Sequence, residues 1–215
     1  MALIEEISEF LQKGRAKNVK TLVQQAIDEG YDPKVILNDG LLSAMMIIGE
    51  KFRLNEVYVP EVLVAARAMN AGLEILQPKL VEVGNKPIGK AVIGTVKGDL
   101  HDIGKNLVSM MLKGAGIEIH DVGVDVTAEA FIDKAEEVGA DIICMSALLT
   151  TTMTNMKQTI DVLKERGLRD KYIVMIGGAP INQSFSDEIG ADSYTADAAS
   201  AAQMAKKLIE LKIAI

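Results

Sequence analysis

Asp99 and His101 stand one residue apart in the run Lys97-Gly98-Asp99-Leu100-His101-Asp102-Ile103-Gly104. That spacing suits a carboxylate that accepts from one imidazole nitrogen and leaves the other free to bind a metal. Gly98 and Gly104 bracket the pair and would let a large planar ligand approach the backbone. The competing reading is a solvated loop histidine, with Asp99 and Asp102 capping the helix that follows. Two further runs, Ser146-Ala147-Leu148-Leu149-Thr150-Thr151-Thr152 and Ile176-Gly177-Gly178-Ala179-Pro180, combine hydroxyls with small residues and would line a narrow slot. Singly, each is also what turns and helix caps use. His120, with no motif around it, reads as structural, and Cys144, inside an apolar run, as a small buried residue.

These residues fall at informative places in the pattern of elements. Up to residue 83 the chain reads as helix: Ile4, Ile7, Phe10 and Leu11 recur at helical spacing before Gly14, and Val19, Leu22, Val23, Ala26 and Ile27 before Gly30. A third helix starts at Asp32-Pro33 and runs towards Phe52; a fourth begins at Pro60. Short connections predict a small antiparallel four-helix bundle. Residues 84–90 form a linker. Beyond it, apolar runs at 91–96, 117–122, 141–146, 172–176 and, more weakly, 192–195 alternate with helical patterns at 103–114, 127–138, 153–166, 181–189 and 198–212. Five such alternations predict an α/β domain with a parallel, doubly wound sheet, the flavodoxin-like strand order being usual for five strands. The Asp99–Gly104, Ser146 and Gly177 runs each follow a strand, at the edge where such folds bind ligands.

Composition narrows the possibilities. Of 215 residues 49% are hydrophobic, enough for a substantial core, and the net charge of −7 argues against a general nucleic-acid or anionic-membrane binder. One cysteine and two histidines cannot build a Cys-based zinc cage or an internal disulfide. Glu5, Glu6 and Glu9 occupy the place of a signal peptide's basic and apolar regions, and no apolar stretch approaches a membrane span, so a cytoplasmic protein is expected.

The runs Asp99/His101/Gly104, Ser146/Leu148 and Gly177/Gly178, in this order, resemble the Asp-x-His-x-x-Gly, Ser-x-Leu and Gly-Gly signature of the cobalamin-binding module of methionine synthase and of the corrinoid proteins of methyltransferase systems. The similarity extends to the bundle, where Phe52 is followed after an interval by Val59-Pro60, as in that family's helical cap. The resemblance implies a cap at residues 1–85 and a cobalamin-binding domain at 86–215. It implies that the dimethylbenzimidazole tail of cobalamin leaves cobalt for a slot in the sheet domain and that His101 replaces it as the metal ligand. Asp99 and Thr152, the latter standing where methionine synthase has serine, would complete a relay with His101. The loop residues Gly98, Leu100, Asp102, Ile103 and Gly104 would contact the cofactor. Leu148 would also contact the cofactor, Ser146, Thr150, Gly177, Gly178 and Ala198 would line the tail site, and Phe52 and Val59 would cover the upper, methyl-bearing face.

The function so implied is that of a methyl carrier cycling between Co(I) and methylcobalamin. Its implied partners are a substrate:corrinoid methyltransferase, a second methyltransferase acting on tetrahydrofolate or coenzyme M, and a reductive activase, without nucleic acid or membrane. A cobalamin-dependent regulator or light sensor is the alternative, although its relatives usually add a DNA-binding domain and a cap tryptophan, and this chain has no Trp. The small subunit of a carbon-skeleton mutase shares the histidine motif but lacks the helical cap. The methyl donor, whether methylamine, methanol, betaine or aryl methyl ether, is left open.

Overall fold

Apolar residues at helical spacing organise the first of two units, which ends at Lys86; the second begins at Pro87. The computed structural model describes residues 2–213. In the first unit α1 (Ala2–Gln12) and α2 (Ala16–Asp28) are followed by α3 (Pro33–Val35), a π-helical stretch (Ile36–Leu42), α4 (Ser43–Arg53) and α5 (Val59–Glu82). Ile7, Leu11, Val19, Val23, Met45, Ile48, Met69 and Leu76 form its core. Asp32 caps α3, its carboxylate accepting from the Lys34 N–H at 2.8 Å, with Pro33 at the first turn. The third predicted helix is therefore present, but its middle winds wider than an α-helix. That wider turn buries Ile36, Gly40 and Leu41. A Cβ on Gly40 would lie 3.2 Å from Ile7 Cγ2, so α1 packs closely against it.

The second unit is a five-stranded, all-parallel sheet in the order β2-β1-β3-β4-β5, the flavodoxin-like order. Its elements are β1 (Gly89–Thr95), α6 (Ile103–Gly114), β2 (Ile117–Asp121), α7 (Ala128–Val138), β3 (Ile142–Ser146) and α8 (Thr154–Glu165), then β4 (Ile173–Gly177), α9 (Gln183–Ile189), β5 (Ser193–Tyr194) and α10 (Ala198–Ile213). Helices α6 and α10 pack together, as do α7 and α8. Phe131, Ile132, Ile143, Met145, Met156 and Ile160 fill one layer between sheet and helices. A Cβ on Gly94 in β1 would come within 2.8 Å of the Phe131 ring, so the smallest residue is required there.

Boundaries differ from the sequence expectation at several places. Gly89 and Lys90, read as linker, belong to β1: they pair with Ile117 and Glu118, and the Lys90 N–H donates to Asp141 Oδ2 at 2.9 Å. Backbone pairing there overrides a Gly-Lys sequence with little strand preference. Val96 leaves the strand and makes an isolated bridge to Val126. Helix α9 starts at Gln183, because the Asn182 side chain caps it through the Phe185 N–H at 2.9 Å. Among the described residues, no helix is long and apolar enough to cross a membrane.

Candidate functional site

Strand order reverses on either side of β1, whose neighbours are β2 and β3. Parallel register brings Thr95, Ser146 and Gly177 side by side at the carboxyl ends of β1, β3 and β4. The loop leaving β1 crosses this edge before α6 starts. Gly98 has φ +81°, which explains a glycine at that position.

Asp99 is completely buried within that loop. Its Oδ1 lies 2.7 Å from His101 Nδ1 and accepts from the His101 N–H at 3.1 Å. Its Oδ2 accepts from the Leu148 N–H at 2.8 Å, the Leu149 N–H at 3.3 Å and the Thr152 hydroxyl at 2.8 Å. Burial alone would raise the carboxyl pKa. The Leu148 amide, the His101 ring and amide and the Thr152 hydroxyl outweigh it and hold the group well below the usual carboxylate range. Asp99 is thus an acceptor only, which in a neutral imidazole selects the tautomer with the proton on Nδ1 of His101 and the lone pair on Nε2. The His101 side chain is about half exposed, at 52%. Thr95, itself buried, donates its hydroxyl to the His101 carbonyl at 2.9 Å and fixes the loop from the opposite side.

Asp99, His101 and Thr152, distant in sequence, therefore meet around one carboxylate. The capping alternative does not hold: Asp99 faces His101 and Thr152, and Asp102 at the start of α6 makes no side-chain cap bond, accepting instead from Asn106 Nδ2 at 3.0 Å. Leu100 on the loop, Ile103 at the start of α6 and Leu148 and Leu149 beyond β3 are exposed, an apolar rim beside the imidazole. Gly104 lies in the first turn of α6, Thr150 is exposed ahead of α8, and Ala198 is buried at the start of α10. Phe52 ends near the close of α4 and Val59 opens α5, both partly buried in the helical unit.

The two glycines of the Gly-Gly pair differ in kind. A Cβ on Gly177 would meet nothing within 4 Å, leaving open space beside Ser146. Gly178 has φ +136°, and a Cβ there would fall 1.8 Å from the Ala147 carbonyl oxygen. Its lack of a side chain is required by the adjoining backbone before any ligand is considered.

Sequence reading missed the supports of the His101 loop. Asp125 Oδ1 accepts from the Gly98 N–H at 2.7 Å, and Asn155 Nδ2 donates to the Lys97 carbonyl at 2.8 Å. Lys105, buried in α6, pairs with Asp121 at the end of β2. The only sequence signal was a second acidic residue close after a parallel strand, which is too common to single out. His120 and Cys144 keep their structural readings: His120 Nε2 lies 2.8 Å from Glu118 Oε1, and Cys144 is buried in β3.

Among the described residues, no group of three or more His, Cys, Asp or Glu is placed to hold a metal ion. His101 would offer a metal one ring nitrogen, which fits a group that carries further donors of its own, as a corrin ring does. The apolar rim and the open space beside Gly177 fit such a group: the first suits a large macrocycle, the second a tail passing the strand ends.

Known proteins resemble this chain over most of its length. Two B12 binding domain models match, one over residues 89–203 and another over residues 3–77. A corrinoid protein of Desulfitobacterium hafniense is 42% identical over 97% of this chain and 98% of its own length. The dimethylamine corrinoid protein of Methanosarcina barkeri is 43% identical over 96% and 97%, respectively. Among solved structures, the methanol:cobalamin methyltransferase complex of Methanosarcina barkeri contains a similar chain, with TM-score 0.88 and 31% identity, covering 97% of this chain and 80% of that one.

Proposed function

This chain belongs to the B12-binding corrinoid proteins of methyltransferase systems, and from that premise we propose that it is a methyl carrier. It would take a methyl group from a substrate-specific methyltransferase and pass it to a second one acting on tetrahydrofolate or coenzyme M. The observation that carries this reading is the buried Asp99, which commits His101 to the tautomer with a free Nε2. When bound, the corrinoid would supply a cobalt centre that is strongly nucleophilic once reduced and so suited to accept a methyl group.

The chain's own residues have separable tasks in this reading. His101 Nε2 would hold the metal, the role the tail's dimethylbenzimidazole would otherwise take. Asp99 keeps the ring oriented and its Nδ1 proton in place. Thr152 has two acceptors for its one proton, Asp99 Oδ2 at 2.8 Å and the Leu149 carbonyl at 3.0 Å. It can therefore adjust how strongly it supports the Asp99 charge, and through it the basicity of the imidazole. Ser146, Thr150, Gly177, Gly178 and Ala198 would line the slot for the tail, and Gly98, Leu100, Asp102, Ile103, Gly104 and Leu148 would also contact the cofactor.

Phe52 and Val59 enter through the family pattern as cover for the upper face, with residues 1–85 as cap and 86–215 as the cobalamin-binding domain. The reading includes a cytoplasmic setting and a reductive activase as third partner. Relatives named for dimethylamine and trimethylamine make methylated amines the first donors to try.

The test is His101→Ala in the cobalamin-loaded protein. With the protein's histidines labelled with 15N, the unaltered protein should show 15N hyperfine splitting in the EPR spectrum of Co(II), and the variant should lose it whether or not the tail nitrogen returns to cobalt. The same splitting in both would refute His101 as the ligand. Failure of the unaltered protein to accept methyl groups from any methylamine, methanol, betaine or aryl methyl ether methyltransferase would refute the carrier role.

A further inference from the structure

Asp125 is one of two non-glycine residues with positive φ among those described, at +55°, and it lies after β2, outside every family motif. Aspartate tolerates the left-handed region better than most residues, though still at a cost, so the conformation needs a reason. Its bonds supply one. The carboxylate accepts from the Gly98 N–H at 2.7 Å, and its own N–H donates to the Asp99 carbonyl at 3.0 Å. These two groups flank the Asp99 Cα, so one residue grips the backbone on both sides of it.

The rest of the β2–α7 connection reinforces that grip. The Thr95 N–H donates to the Gly123 carbonyl at 2.9 Å, and the Val126 N–H to the Thr95 carbonyl at 3.0 Å. At the far end of the His101 loop, Lys105 pairs with Asp121, which also accepts from the Gly123 N–H at 2.9 Å. The connection is thus bonded to the chain before the loop, at Asp99 within it and in the helix after it.

We propose that Asp125 is a positioning residue: by fixing the Gly98–Asp99 backbone it aims the Asp99 carboxylate at His101 Nδ1 and so sets which imidazole nitrogen is offered to the metal. The metal half of this statement rests on the lower-ligand role proposed above; the tautomer half concerns the protein alone. A purely structural turn would leave the tautomer unaffected. The acceptor at Asp125 decides the matter, because the left-handed backbone can be kept while the acceptor is removed or retained.

The variants are Asp125→Gly, which keeps the conformation and loses the acceptor, and Asp125→Asn, which keeps both. The first readout is the His101 tautomer ratio by 15N NMR in cobalamin-free protein, above the pH at which the ring titrates. Asp125→Gly should lower the preference for the Nδ1–H form about five-fold, within the worth of one hydrogen bond, while Asp125→Asn should match the unaltered protein. An unchanged ratio in Asp125→Gly would overturn the proposal, as would an equal loss in both variants, since Asn retains the acceptor. The second readout is Co(II) EPR of the loaded proteins, where Asp125→Gly should show a smaller nitrogen-ligated fraction. A tautomer shift in Asp125→Gly together with no His101-dependent splitting in the unaltered protein would support the positioning role and refute the lower-ligand reading.

Discussion

Replacing Gly178 by alanine tests whether the second glycine of the Gly-Gly pair serves the fold or the ligand. The added Cβ would sit 1.8 Å from the Ala147 carbonyl oxygen and 2.8 Å from its carbonyl carbon. Both belong to backbone just beyond β3, so relief requires the ends of β3 and β4 to separate by more than an ångström. The φ of +136° adds a conformational penalty of about 1–3 kcal/mol for a residue with a side chain. With overpacking against a backbone that cannot rotate away, the total cost should reach about 3–5 kcal/mol. Gly177 is the control, since a Cβ there meets nothing within 4 Å and should cost less than about 0.5 kcal/mol. Urea unfolding of the cobalamin-free proteins measures both effects. Binding of cobalamin and of cobinamide, which lacks the nucleotide tail, then separates tail from ring. Gly177→Ala should keep stability and weaken cobalamin more than cobinamide, whereas Gly178→Ala should lose stability before any ligand is added. A Gly178→Ala protein within about 1 kcal/mol of the original would refute the steric argument.

Thr152→Val removes the hydroxyl that supports Asp99 Oδ2 but keeps its shape, and should cost about 1.5–3 kcal/mol at neutral pH, as for a hydrogen bond to a charged group. The depressed Asp99 pKa contributes stability that is present above the unfolded value of about 3.9 and is lost as pH falls through the lower folded value. With one donor fewer the folded pKa rises, so acid unfolding followed by circular dichroism should begin at higher pH; an unchanged acid midpoint would contradict the assignment. Cys144, whose thiol burial pushes up to about 12, should resist iodoacetamide at pH 8 in the folded protein and react in urea, with mass spectrometry as the readout. Rapid labelling of the native protein would show that β3 opens.

What the sequence determined by itself is what local pattern encodes. Alternating apolar runs and helical spacings set the helical unit, the α/β unit and the strand-to-helix loops that carry Asp99, Ser146 and Gly177. The one-residue gap between Asp99 and His101 sufficed for their pairing, because a bond between near neighbours needs little help from the rest of the fold. The other decisions belonged to tertiary structure. Thr152 reaches Asp99 across 53 positions only because β1 and β3 are adjacent and in register. Gly177 and Gly178 look alike in sequence, yet one borders open space and the other touches Ala147, a difference made by packing between strand ends. Asp125 had no distinguishing signal beyond an acidic residue after a parallel strand, because its role depends on a backbone conformation and on partners brought near by pairing past the end of β2. The π-helical turn at Ile36–Leu42 arises similarly, its apolar spacing being compatible with an ordinary helix until the packing of α1 against Gly40 is known. Periodicity records which face of an element is buried; it does not record which atoms of two distant elements will share one hydrogen bond.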